Sequence, residues 1–354
     1  MKVLVAMSGG VDSSVTAYLL KQQGYDCIGV TMKLYDGEDG RESTCCSLRD
    51  VEDAKSVCHR LGIPHYTFNF TGDFDRAVIE PFVKSYEQGR TPNPCIDCNR
   101  YLKFQRLYQR AMDLGCDYIA TGHYVRRVEE PDGTVSLYKA MDPKKEQSYV
   151  LYNMTQEQLR RTLFPLGELT KPQVREIAER EGFLNAKKHD SQDICFVPDG
   201  DYASFIQAYT GKTYAPGPVL DVSGNRLGTH RGIIHYTVGQ RKGLGLALGK
   251  PMYVKSTDAE HNTVTLATND QLFSTVVYAE RLNWISGNIP REPVSVQARV
   301  RYHGTDQPAV LHFLENGNIR AEFQVPQRAV TPGQAIVFYQ DDKMLGGAEI
   351  VRGT

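Results

Sequence analysis

Apolar residues gather in short β-rich runs at residues 3–7, 27–32, 65–70 and 117–121, which predict strands. Between them the spacing turns helical. Val11, Val15 and Leu19 line one face of a helix over residues 12–23 that Gly24 stops, and Ser47 caps a second that carries Val51, Ala54, Cys58 and Leu61 inward and ends at Gly62. A third helix is expected over residues 102–114. This βαβα order predicts a Rossmann-like parallel sheet covered by helices on both faces, with ligands at the carboxyl ends of its strands. Residues 124–140 alternate around Pro131-Asp132-Gly133 and predict a hairpin added to that sheet. Helices are expected over residues 155–163 and from Thr170, where Gln173 completes a capping box and Pro172 occupies the first turn.

After Thr210 helical periodicity disappears. Pro216-Gly217-Pro218, Gly224-Asn225 and a glycine-rich stretch over residues 239–249 separate short strands, which predicts a small β-rich middle domain. Strands at 294–302, 309–313, 319–325 and 335–339, divided by Asn316-Gly317-Asn318, Pro332-Gly333 and Asp341-Asp342, predict a small C-terminal β-barrel. The expected organisation is α/β: a parallel-sheet domain over 1–208, the β-rich domain over 209–275 and the barrel over 276–354.

Composition narrows the function. In 354 residues, 41 Lys and Arg balance 42 Asp and Glu, so any nucleic-acid site is a local patch. No apolar run approaches the roughly 18–20 residues of a membrane span, which excludes a helical membrane protein. The N-terminal apolar run is too short for a signal peptide and reads as a first strand of a cytoplasmic protein. Eight cysteines, with Cys45 adjacent to Cys46, argue for reduced thiols rather than a disulfide framework.

The densest chemistry is Ser8-Gly9-Gly10-Val11-Asp12-Ser13-Ser14, between a predicted strand and helix. Two glycines let the backbone fold round an anion, the helix N-terminus faces it, and three hydroxyls add donors. Asp12 is suited to hold Mg²⁺ on a triphosphate. No lysine follows as in a Walker A loop, so γ-phosphate transfer is not expected. The heptad resembles the PP-loop superfamily, which cleaves ATP between the α and β phosphates to adenylate an oxygen. That resemblance implies a nucleotide site formed by Ala6, Met7, Ser8, Gly9, Gly10, Val11, Asp12, Ser13, Ser14, Met32 and Gly122.

A second constellation is Thr91-Pro92-Asn93-Pro94-Cys95-Ile96-Asp97-Cys98-Asn99, a proline-stiffened C-x-x-C ahead of a helix, where a thiol becomes more acidic. Cys195 sits in a third, polar segment. By itself the C-x-x-C is compatible with half a zinc site, with packing or with catalysis. Arg100, Lys103, Arg106 and Arg110 follow at helical spacing, a cationic stripe suited to RNA phosphate or to a solvated face.

Together with Cys45-Cys46-Ser47, residues 120–124, Lys145-Glu146-Gln147-Ser148-Tyr149, residues 191–196 and residues 239–245, these motifs resemble the tRNA-specific 2-thiouridylase family from Met1 nearly to the C-terminus. The resemblance implies ATP-dependent 2-thiolation of the wobble uridine of tRNA anticodons. In that reading Cys195 carries sulfur as a persulfide loaded by a sulfur-relay protein or cysteine desulfurase. Cys98 resolves it through a Cys98–Cys195 disulfide, and Asn93, Pro94 and Cys95 meet the target base. His123, Lys145, Glu146, Gln147, Arg301, Tyr302 and Gln334 would contact tRNA. Cys95 opens an alternative in which Cys95, Cys98 and Cys195 hold a four-iron four-sulfur cluster. Two further alternatives are a PP-loop amide ligase acting on a small molecule and a metal-bound RNA-binding module without catalysis.

Overall fold

The computed structural model describes residues 1–35, 47–188 and 194–354. Cys45, Cys46 and residues 191–193 of the Cys195 motif lie outside the described residues. The expected first strands are β1 (Lys2–Ala6), β2 (Asp26–Lys33), β3 (His65–Asn69) and β4 (Tyr118–Ala120). Val3, Leu4 and Val5 are fully buried, as a central parallel strand covered on both faces requires. Helix α1 (Val11–Gln22) buries Val11, Val15, Ala17 and Leu20, and Gly24 follows it at φ +84. Helix α2 (Leu48–Leu61) opens on a capping box between Ser47 and Asp50 and closes on left-handed Gly62.

The hairpin forms as β5 (Val125–Glu129) and β6 (Val135–Lys139), but it does not extend the parallel sheet. It joins the C-terminal barrel, where Leu137 pairs with Met344 and Tyr138 with Lys343. Side chains hold this register: the Lys343 ammonium lies 2.8 Å from Glu130 and over the Tyr138 ring. The vacated edge of β4 recruits β7 (Thr162–Leu163), which shortens the helix expected over 155–163 to Gln156–Arg160. Sheet order is therefore β3-β2-β1-β4-β7. The capped helix Lys171–Arg180 forms as expected, whereas helices Glu80–Glu87 and Tyr202–Thr210 were not anticipated.

The middle domain contains β8 (Gly217–Asp221), β9 (Arg226–His230), β10 (Tyr253–Asp258) and β11 (Thr263–Ala267) around Val219, Val254, Val264 and Leu266. The C-terminal unit is a closed barrel of β12 (Phe273–Trp284), β13 (Val294–Arg299), β14 (Gln307–Phe313), β15 (Ile319–Arg328), β16 (Ala335–Gln340) and β17 (Lys343–Gly353). Pairing of β12 with β17 closes it. The sequence pattern marks the four inner strands but not these two. Among the described residues no helix is long and apolar enough to cross a membrane.

Candidate active site

The turn from β1 into α1 is tightly folded: the Ser8 amide donates to Ser13 Oγ at 3.2 Å and the Gly10 amide to Ser8 Oγ at 3.4 Å. Gly9 adopts φ +74, and a Cβ there would fall 2.3 Å from the Asp50 carbonyl oxygen, so no side chain fits. The Ser13 and Ser14 hydroxyls each donate to the Gly10 carbonyl at 3.0 Å. Ser8 is exposed. From behind, buried Asn185 donates to the Gly9 carbonyl and to Ser14 Oγ, both at 2.9 Å. Lys188 reaches the same carbonyl at 3.2 Å while pairing with Asp50 and Asp53. The turn is thus braced by residues the sequence pattern did not single out.

Asp12 faces inward across this turn. Lys171 donates to both of its carboxylate oxygens at 2.8 Å, and the Tyr124 hydroxyl donates to Oδ1 at 2.7 Å. Asp12 is thus ion-paired with Lys171 beside the turn. The helix capped by Thr170 delivers Lys171, whose position at a helix start offered no separate sequence signal. Ala6 is half-buried, and Met7, Val11 and Met32 are buried core positions, so only their backbone can face a nucleotide. Gly122 lies against the turn: a Cβ there would be 3.0 Å from Asp12 C and Ser13 N.

His123 follows directly. Its Nδ1 lies 2.7 Å from Thr121 Oγ1 and its Nε2 3.5 Å from the Lys103 ammonium. Burial, with Lys103 beside it, holds the imidazole well below its ordinary pKa, so it is neutral. Lys103 belongs to a helical run that starts at Pro94–Asp97, continues as a π-helix over Cys98–Leu107 and ends as Tyr108–Asp113. Asn93 caps this run by accepting from the Cys95 amide at 3.2 Å, and Pro94 occupies its first turn. Cys95 is exposed and Cys98 half-buried. Cys98 and half-buried Cys195, although far apart in sequence, border the same hydrophobic core; next to Cys195, the Phe196 ring meets Phe74 and Phe82.

The loop before Cys95 is held by both C-terminal domains. Thr257 donates to the Gly89 carbonyl at 2.6 Å, the Thr91 amide donates to the Pro332 carbonyl at 2.9 Å, and Gln334 donates to the Thr91 carbonyl at 2.8 Å. Asp97 is half-buried near Glu349 of β17, and desolvation together with that charge pushes its carboxyl up to about 6. Several residues expected to contact tRNA are engaged internally. Glu146 accepts from Arg299 at 2.6 Å and from the Ser148 amide at 2.5 Å. Gln147 accepts from the Tyr124 amide at 3.0 Å, and Arg301 donates to the Ala329 carbonyl at 2.5 Å. Tyr302 donates to the Glu146 carbonyl and lies within electrostatic reach of Cys95. Lys145 is half-buried beside them. The expected cationic stripe is dispersed: Lys103 turns to His123 and Arg106 pairs with Asp73 at 2.8 Å.

Among the described residues, no group of three or more His, Cys, Asp or Glu side chains is arranged to hold a metal ion. Cys95, Cys98 and Cys195 therefore do not form an iron–sulfur ligand set as they stand here.

Residues 1–199 match the tRNA methyl transferase HUP domain family, residues 203–268 the tRNA methyl transferase PRC-barrel domain and residues 274–350 the aminomethyltransferase beta-barrel domain. The chain is 50% identical over 355 residues to tRNA-specific 2-thiouridylase MnmA of Lachnoclostridium phytofermentans, covering 99% of both chains. The chain belongs to the tRNA-specific 2-thiouridylase family. A second member, MnmA of Acetivibrio thermocellus, is 51% identical over 354 residues, again with 99% of both chains covered. On this structure the family's HUP match contains the glycine-serine turn after β1 and all three cysteines of the candidate site, while the barrel match contains Arg301, Tyr302 and Gln334.

Proposed function

We propose that this protein uses ATP to replace the 2-oxo group of the wobble uridine of tRNA anticodons with sulfur. One observation carries the reading: Gly122 packs against the phosphate-cradling turn while the adjacent His123 meets Lys103 on the Cys98 helix, so nucleotide and thiol chemistry share one wall. Two of the matched domain descriptions name methyl transfer, but a backbone nest at a helix N-terminus is suited to phosphate, and the relatives are named for thiolation.

Uridine O2 is a poor leaving group. Its attack on the α-phosphorus of ATP, held by Ser8, Gly9, Gly10, Ser13 and Ser14, expels pyrophosphate and turns O2 into part of an AMP leaving group. Mg²⁺ bound to the triphosphate would offset its charge; Asp12 can approach it only after releasing Lys171. A Cys195 persulfide, loaded by a sulfur-relay protein or cysteine desulfurase, attacks C2 through its terminal sulfur, and AMP departs with O2. The Cys98 thiolate then attacks the Cys195 sulfur, the sulfur–sulfur bond breaks toward the base, and 2-thiouridine leaves. The resulting Cys98–Cys195 disulfide needs an external thiol to reset it, which suits the reducing cytoplasm. Asn93, Pro94, Cys95, Lys145 and Tyr302 line the approach for an unstacked base. Arg301, Gln334, Glu146, Gln147 and His123 shape this wall from within.

The test is incubation with ATP, Mg²⁺, a persulfide donor and unmodified tRNA, followed by nucleoside analysis and AMP measurement. Wild type forms 2-thiouridine with AMP. Cys98→Ser still releases AMP but frees no 2-thiouridine, whereas Cys195→Ser stops after pyrophosphate release and forms neither AMP nor 2-thiouridine. Wild type that makes neither product under aerobic or anaerobic conditions refutes the reading.

A further inference from the structure

Most cations around the candidate site are matched to acids. Lys171 holds Asp12, Lys188 holds Asp50 and Asp53, Arg106 holds Asp73 and Arg299 holds Glu146. Lys103 differs. It is half-buried, and among the described residues it makes no ion pair with a carboxylate; its ammonium approaches only the His123 ring, at 3.5 Å. That ring is buried and neutral, so it supplies no countercharge. A cation held partly out of water against a neutral ring gains when an anion arrives.

Position says which anion. Lys103 follows Cys98 by one π-helical turn and so lies on the face that carries that thiol. On its other side, through His123 and Gly122, it borders Asp12 and Ser13 of the phosphate cradle. The group that must pass between those places is the α-phosphate.

We propose that Lys103 binds a non-bridging oxygen of the α-phosphoryl group as it moves from ATP to O2 of the target uridine. The inference rests on the thiolation reading above. In this step O2 bonds to the α-phosphorus, the bond to the oxygen bridging the β-phosphate breaks, its electron pair leaves on pyrophosphate, and the N3 proton of the base passes to solvent. Charge gathers on the non-bridging oxygens in the transition state, where a fixed ammonium in a water-poor site stabilises more than it does in the ground state. His123 is a positioning residue: the tautomer that donates Nδ1–H to Thr121 Oγ1 leaves Nε2 to accept from Lys103.

The test is single-turnover pyrophosphate release with unmodified tRNA, with dissociation constants for ATP and tRNA measured alongside. Lys103→Gln keeps a donor for His123 and removes the charge; Lys103→Arg keeps the charge. The Gln variant is expected to slow pyrophosphate release ~100-fold or more, as removal of one transition-state donor does, with both dissociation constants nearly unchanged. The Arg variant recovers a large part of the rate. A Gln variant at the wild-type rate overturns the proposal. So does a loss explained wholly by weaker, more salt-sensitive tRNA binding, which would make Lys103 an ordinary backbone-phosphate contact. If the Gln variant does not fold, an Arg variant that folds yet shows no pyrophosphate release also overturns it. Wild type that releases no pyrophosphate with tRNA overturns the thiolation reading itself, and this inference with it.

Discussion

At Gly122 the absence of a side chain lets β4 come against the phosphate cradle. Gly122→Ala puts a Cβ 3.0 Å from backbone atoms of Asp12 and Ser13, which cannot swing aside as a side-chain tip would. The expected result is a KM for ATP raised ~10-fold or more with tRNA affinity unchanged, on the rule that about 1.4 kcal/mol is a factor of ten. Steady-state AMP release checks it. Asp97 makes a prediction about pH. Its carboxyl titrates at about 6 in the folded chain, above the ordinary aspartate value, because it is half-buried near Glu349. Between those values the folded state holds the extra proton, so this group's contribution to stability is present at low pH and is lost as pH rises through about 6. Asp97→Asn should raise the melting temperature by a few degrees near neutral pH and flatten its fall between mildly acidic and neutral pH. Calorimetry across that window decides, and an unchanged slope counts against the account.

Element boundaries follow local chemistry where a cap dictates them. Ser47→Ala removes the hydroxyl that accepts from the Asp50 amide and should cost about 1 kcal/mol, read as a lower urea midpoint at constant m-value. The Cys98 helix is a different case. Its charged residues suggested one cationic stripe at α-helical spacing, but the π-helical stretch over Cys98–Leu107 changes the angular step and separates them. Lys103 turns inward to His123 and Arg106 outward to Asp73. Such a widened helix is set by its packing partners, here the helices and loops around Val150 and His123, rather than by local propensity.

For the whole molecule, the loop before Cys95 depends on domains far downstream. Arg299 of β13 and Glu146 form a buried pair that ties the barrel to the loop after the hairpin. Arg299→Met strands the Glu146 carboxylate and should cost ~3–5 kcal/mol in urea unfolding. Gln334→Ala releases the Thr91 carbonyl and should slow 2-thiouridine formation while leaving the melting temperature within a few degrees. If Gln334 serves mainly to grip tRNA, the same variant instead weakens tRNA binding at an unchanged maximal rate; comparing kcat with KM separates the two.

The glycine-serine turn after β1, the capped helices, the inner strands and the α/β-then-β order were legible in the sequence because each depends on residues close along the chain. Two glycines and three serines at a strand end, or Ser47 three residues before Asp50, carry their geometry with them. Tertiary structure decided what depends on distant edges and charges. The hairpin went to β17 instead of the parallel sheet because an exposed strand edge can be satisfied by any compatible partner. Likewise β12 and β17 lacked a strong pattern of their own, since their length reflects their mutual pairing that closes the barrel. Lys171 reaching Asp12 and Lys103 reaching His123 are contacts across folded segments. A one-dimensional pattern records that a lysine is present, and only packing determines which charge or ring it faces.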